Sequence, residues 1–319
     1  MKEIPTLEEV KKAIDELKKI DFKKIDDFEN SEEFLLYMDN TFNKIFPSFH
    51  NMAQIINPNK FPFKLFRVRE FESIKNKDLF CEYSYPPPYF VQDGRCNIRN
   101  KPIFYCSSDP ITALLEVARN KLDYKSKKFC ISTWTLINND KDFVLDCFLQ
   151  SQLHPLNAFQ ELANNFLNNI EKAFEYKIDE NQKLGVIEFY RFLDSIFIED
   201  NNYVISSYLA HRRLYANHNF RSDMIIYPSA QSDSKSVNFA IQPNFVDNCM
   251  QVERFYILTL DSYNDKTNEF SVTFLKYGFV DKNVIIWRNL KPGDKQYEKN
   301  FKIDFKSYLK NFKKFKYTK

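Results

Sequence analysis

A few residues of this chain stand where they could act on a ligand rather than on the fold. The stretch Asp93-Gly94-Arg95-Cys96-Asn97 runs through turn formers into the apolar Ile103-Phe104-Tyr105-Cys106, then through Asp109-Pro110 to Glu116. An arginine presents a planar fork that pairs two oxygens of an anion and keeps its charge, so Arg95, and Arg67 upstream, are candidate anion clamps. Glu116 is a candidate carboxylate. With Ile111, Leu114, Leu115, Ala118 and Leu122 as the buried stripe of its helix, it lies well off that stripe and can look into a cleft. Tyr105 closes a strand just before that helix, a rim position suited to stacking, and Ser229 offers a hydroxyl after Tyr227-Pro228. Asn97 and Asn238 read as loop-holding residues whose side chains bond backbone. On residues alone the blander alternatives stay open: a solvated helix glutamate, surface ion pairs, a core aromatic and a turn serine.

The elements that must position these residues are legible from periodicity. Residues 6–19 read as a helix, with Thr6 and Glu9 at capping-box spacing and Leu7, Val10, Ile14 and Leu17 on one face. A second helix is predicted from Ser31 to about Ile45. LFRVREF, from Leu65, reads as a strand, whereas the prolines of YSYPPPYF exclude an interior strand or helix. KPIFYCSS reads as a short buried strand, and Asp109-Pro110 as a helix start with Asp as N-cap and Pro in first position. KKFCISTWTLI suggests a strand alternating Phe129, Ile131, Thr133 and Thr135. Residues 155–175 have the clearest helical period, through Leu156, Phe159, Ala163 and Phe166, and helices are expected over 186–197 and 203–217. DMIIYPS and SVNFAIQ follow as strands. The C-terminal part reads as a hairpin turning around Asn264–Asn268, then a basic tail. The pattern predicts one α/β body, an α+β arrangement on a mixed sheet. A helical extension covers 1–60, the body 61–246, and a hairpin and tail packed on it 247–319.

Composition bounds the function classes. With 46 basic against 43 acidic residues, the net charge of +3 carries no message about a polyanionic partner, and a nucleic-acid partner is not expected. The basic tail is read as a solvated face. Only 4 of 319 residues are glycine, against roughly 22 at average usage, so each is expected to hold a backbone position closed to other residues. Six scattered cysteines without a CxxC pair look like reduced thiols rather than a disulfide framework or a zinc site. No apolar leader and no run of 18 apolar residues is present, so no membrane partner is expected and the cytoplasm is the expected compartment. The common Rossmann, P-loop, zinc-hydrolase and nucleophile-elbow signatures are missing. The histidines number 4, few for a histidine mechanism, and His211 and His218 read as surface or capping residues.

Three blocks in order resemble the RES-domain family. They are LFRVR with Arg67, the segment from Asp93 to Val117, and SDMIIYPSAQSDSKSVNFAIQP; together they span about Leu65 to Pro243. Departures are specific. Cys96 stands where the family usually has tryptophan after Gly-Arg, so an aromatic wall is lost or supplied elsewhere. Asn100 replaces a glycine, a tolerable change because asparagine enters left-handed conformations. A doubled glycine is reduced to Asp93-Gly94.

The resemblance implies an ADP-ribosyltransferase-like fold, with 61–246 as an NAD-binding catalytic domain. It implies NAD as the substrate, without a metal, and attack on its nicotinamide–ribose bond by hydrolysis or phosphorolysis. Glu116, Arg67 and Tyr105 are the implied catalytic residues; Arg67, Arg95, Tyr105, Ser229, Asn97 and Asn238 the implied NAD-binding set. Because nicotinamide leaves as a neutral ring, the barrier lies in an oxocarbenium-like transition state. A nearby anion and a pyrophosphate clamp then supply most of the catalysis. Known members include toxins of toxin–antitoxin pairs, which makes an antitoxin or self-association a candidate partner. ADP-ribosyl transfer to a protein or nucleotide, and a non-catalytic nucleotide-binding module, are the alternatives.

Overall fold

The computed structural model describes residues 4–46, 53–118, 123–137, 141–150, 153–173, 178–199, 203–217, 221–232, 234–264, 267, 269–291 and 293–308. Helices α1 (Leu7–Lys18) and α2 (Ser31–Ile45) come first, followed by strands β1 (Gln54–Ile56), β2 (Leu65–Glu70) and β3 (Phe104–Ser107). Helix α3 (Pro110–Ala118) leads to β4 (Lys128–Leu136) and β5 (Phe143–Cys147). Helices α4 (Gln160–Ala173), α5 (Glu180–Glu199) and α6 (Val204–Leu214) precede β6 (Met224–Pro228) and β7 (Val237–Ile241). Helix α7 (Pro243–Cys249), the strands β8 (Met250–Asn264), β9 (Glu269–Asp281) and β10 (Val284–Asn289), and helix α8 (Lys295–Asp304) complete the order. The fold class is α/β.

The chain forms two compact units, and it passes between them several times. The first comprises Met1–Ile56, Pro86–Ile103 and Asp142–Gln242. Its strands run in the order β1-β5-β6-β7, with β5 and β6 parallel and the other neighbours antiparallel. Every residue of β6 and of β7 is buried, as expected of strands covered on both faces. Helix α1 starts on the expected capping box: Thr6 accepts from the Glu9 amide and Glu9 accepts from the Thr6 amide. Val10, Ala13, Ile14 and Leu17 are buried against α5. Gly185 of α5 makes that approach possible, because a Cβ there would lie 2.7 Å from the Pro5 carbonyl oxygen.

The second unit comprises Asn57–Tyr85, Phe104–Lys141 and Pro243–Lys319. Its strands run β3-β2-β4-β8-β9-β10, antiparallel throughout. One face of β2, with Phe66 and Val68, is buried under α3 and α8 in a core rich in aromatic rings. Tyr297, Phe301 and Phe305 pack edge-on around Tyr256, so the C-terminal helix is part of this core. Asp304 at its end is buried and accepts from Arg254 Nε at 2.6 Å and from the Tyr256 hydroxyl at 2.7 Å.

Several expectations need correction. Strand β4 does not alternate, because Cys130, Ser132 and Trp134 are as buried as Phe129, Ile131 and Thr133. Helix α4 begins at Gln160, not 155. Asn157 caps the turn before it, accepting from the Phe159 amide, and Leu156 is left 80% exposed rather than on the apolar stripe. Residues 174–175 lie outside the described residues, as do Leu122 and His218. His211 lies in the last turn of α6, near the helix end as expected, half-buried and stacked on Tyr215, where one turn of helix brings the two rings together. The sequence reading missed β1, β5, β10, α7 and α8. The 306–308 start of the basic tail is a short 3-10 turn, and 309–319 lie outside the described residues.

Candidate functional site

Arg67 stands out in the second unit. It sits mid-strand in β2 on the face opposite Phe66 and Val68, and its side chain is half-buried. Its Nη1 donates to the Tyr105 carbonyl at 2.8 Å, and the guanidinium lies over the Phe104 ring, 5.1 Å from the centroid. Phe104 is itself fixed edge-on against Trp134. Arg67 Nε is buried without a hydrogen-bond partner among the described residues, and no carboxylate there pairs with the guanidinium. Desolvation, helped by the like charge of Arg69, pushes it down to about 10, and it stays charged at neutral pH. A desolvated cation without a counter-anion is costly, and an incoming anion relieves that cost. Tyr105 is half-buried beside it, and its phenol is near enough to act on the Arg67 charge.

Helix α3 packs directly on β2 and β3, the strands that carry Arg67 and Tyr105. Its start is the expected one: Asp109 Oδ1 accepts from the Ile111 amide at 3.0 Å and the Thr112 amide at 2.8 Å. Burial pushes the Asp109 carboxyl up, while bonds from Tyr308 and Thr112 pull it back down. Of the helix residues, only Glu116 and Val117 are half-buried; the rest are buried. Glu116 and Val117 lie in the last turn, while Thr112 and Ala113, one turn earlier on the face of Glu116, are buried.

Arg95, Asn97, Ser229 and Asn238 belong to the first unit. Gly94 and Asn97 close a tight turn through a pair of backbone bonds of 2.9 and 3.3 Å. Asn97 Nδ2 donates to the carbonyls of Gln92 and Ile98, which makes it a loop-holding residue. Arg95 donates to the Phe197 carbonyl in the last turn of α5, where a cation also complements the helix dipole. Its guanidinium lies 5.1 Å over the ring of Tyr203, a residue in the left-handed conformation at φ 57°. Cys96 is buried in the core, and Asn100 takes φ 62°, the left-handed placement expected of a glycine substitute. Ser229 is fully buried at the end of β6; its amide donates to the Ser236 carbonyl and its own carbonyl accepts from the amides of Ser232 and Ser234. Asn238 faces Tyr227 across the β6–β7 ladder.

Arg67, Tyr105 and Glu116 are thus carried on packed neighbours of the second unit, and the other four residues on elements of the first. Two residues escaped the sequence reading. Phe104, the seat of Arg67, could have been suspected from its place beside Tyr105. Tyr203 could not, because nothing local marks a ring that meets an arginine more than a hundred positions earlier. Among the described residues no helix is long and apolar enough to cross a membrane. No cluster of three His, Cys, Asp or Glu residues that could hold a metal occurs among them either.

A family model described as the RES domain matches residues 64–259, more than half of the chain. Comparison with curated proteins gives no match.

Proposed function

The chain belongs to the RES-domain family, whose fold is ADP-ribosyltransferase-like, and from that footing we propose that it binds NAD⁺ and cleaves its nicotinamide–ribose bond. The observation that carries the reading is Arg67, a desolvated guanidinium whose buried Nε has no hydrogen-bond partner and which has no carboxylate partner among the described residues. A pyrophosphate supplies the missing charge and acceptors, and a planar fork holds two of its oxygens at once. Neighbouring Tyr105 stacks on the nicotinamide ring.

In this reading the glycosidic electron pair leaves with the nicotinamide, which turns from a pyridinium cation into a neutral ring. Positive charge then develops on the ribose, and the Glu116 carboxylate stabilises it and orients the ribose hydroxyls. Water adding at the anomeric carbon gives ADP-ribose and a proton; phosphate in its place gives the 1-phosphate. No metal is called for. For Arg95, Asn97, Ser229 and Asn238 the NAD-binding role rests on the sequence resemblance alone. Unrestrained depletion of NAD⁺ would arrest a cell, so a toxin role with an antitoxin or a second copy as restraint belongs to the same proposal.

The test is NAD⁺ consumption by the purified chain, with and without phosphate, beside Glu116→Gln. Release of nicotinamide, reduced about 10²–10³-fold in the variant, is expected. Absence of turnover in the unmodified chain would sink the reading. ADP-ribose label retained on a protein or nucleotide would redirect it to a transferase.

A further inference from the structure

The chain continues past the matched residues 64–259, and the described part of that continuation ends at Tyr308. Asp304, at the end of α8, is buried and held by Arg254 and Tyr256 of β8. Phe305 follows in the aromatic core, and the Tyr308 amide donates to its carbonyl at 2.9 Å. From this anchored base Tyr308 reaches back across the second unit. Its hydroxyl donates to Asp109 Oδ1 at 2.6 Å, the same oxygen that caps the amides of Ile111 and Thr112. The phenol ring rests edge-on against Phe270 of β9. Burial and the neighbouring carboxylate push the phenol up, so it remains a donor across the working pH range.

We propose that Tyr308 is a positioning residue: the C-terminal addition clamps the N-cap of α3 and thereby sets the helix that carries Glu116. The inference rests on the catalytic role proposed for Glu116. The physical basis is leverage over a short element. Helix α3 spans Pro110–Ala118, so a tilt about its first turn moves Glu116 within the same rigid rod. A shift near 1 Å at a reacting group can cost about a hundredfold in rate. A bond from a neutral donor to a buried carboxylate is also among the stronger ones available to hold the cap.

The experiment pairs Tyr308→Phe, which keeps the ring on Phe270 and deletes only the hydroxyl, with Asp109→Ala and the double variant. In NAD⁺ cleavage, Y308F is expected to lower kcat between about tenfold and a hundredfold with KM nearly unchanged. Y308F should add nothing in the D109A background, because the hydroxyl acts through that cap. Amide exchange is read in parallel on Ile111 and Thr112, with Leu258 of β8 as the reference for global opening. Exchange about tenfold faster at the cap and unchanged at Leu258 is expected. Equal acceleration at all three sites, or none at the cap, overturns the clamp. If Y308F does not fold, Asp109→Asn takes its place, since it keeps a cap oxygen and weakens the charge-assisted bond. Failure of NAD⁺ cleavage in the unmodified chain would remove the catalytic reading, while the exchange measurement would still decide the clamp.

Discussion

Replacing Arg67 by methionine should stabilise the ligand-free chain and abolish its response to NAD⁺. The fall of the guanidinium to about 10 corresponds to ~3 kcal/mol of unfavourable environment carried by the folded state. Because the folded value lies below the unfolded one, pH 7 is beneath both. The full penalty is present there and is relieved only as pH rises through about 10. Against it stand the bond to the Tyr105 carbonyl, worth ~1 kcal/mol net, and the contact with the Phe104 ring, another ~0.5–1 kcal/mol. The difference predicts a gain of ~1 kcal/mol for R67M. The assay is urea unfolding in a Glu116→Gln background, so that NAD⁺ persists, with and without ligand at about a hundred times Kd. Ligand should then add ~2.7 kcal/mol to the Arg67 protein and almost nothing to R67M. A loss of ~2 kcal/mol or more in ligand-free R67M would refute the argument, since it would mean that internal partners already satisfy the guanidinium. Equal stabilisation of both proteins by NAD⁺ would refute it as well.

Other consequences are equally direct. Burial, with Lys101 and Arg212 nearby, pushes His211 from 6.5 down to about 4. Between those values the unfolded chain takes up a proton that the folded chain refuses. Stability should therefore fall by up to ~3 kcal/mol as pH drops from 6.5 to 4, and unfolding curves of His211→Gln over that range should lose this slope. Asp304→Ala leaves buried Arg254 with Glu253 as its carboxylate partner and Nε without one, and should cost ~3 kcal/mol in denaturant unfolding, whereas D304L combined with R254M should cost far less. Gly185→Ala puts a Cβ 2.7 Å from the Pro5 carbonyl oxygen and should destabilise the first unit by ~1–3 kcal/mol, seen as faster amide exchange in α1.

The strands and helices that were legible in advance are those whose signal is local. Helix α2 matches Ser31–Ile45 because Asn30 caps it and its apolar residues recur every turn. Helix α3 starts at Pro110 because an aspartate oxygen can reach the two amides that follow, whatever the rest of the chain does. Asn100 is left-handed because its own side chain tolerates that conformation. The elements that were missed lack such signals. Strand β5 is buried at most positions and shows no alternation. Helix α8 is half charged residues and places Tyr297 and Phe301 at a single helical repeat.

Short motifs in a set order were enough to read the family and the α/β class from the chain and to nominate the candidate site residues. Their partners became visible in the folded chain. Arg67 lacks a carboxylate among the described residues, Arg95 is engaged by a carbonyl and a ring about a hundred positions away, and Tyr308 donates to a helix cap 199 positions earlier. The reason is physical. A residue's type sets which interactions it can make, whereas burial and the choice among distant partners follow from packing, and no local periodicity encodes that.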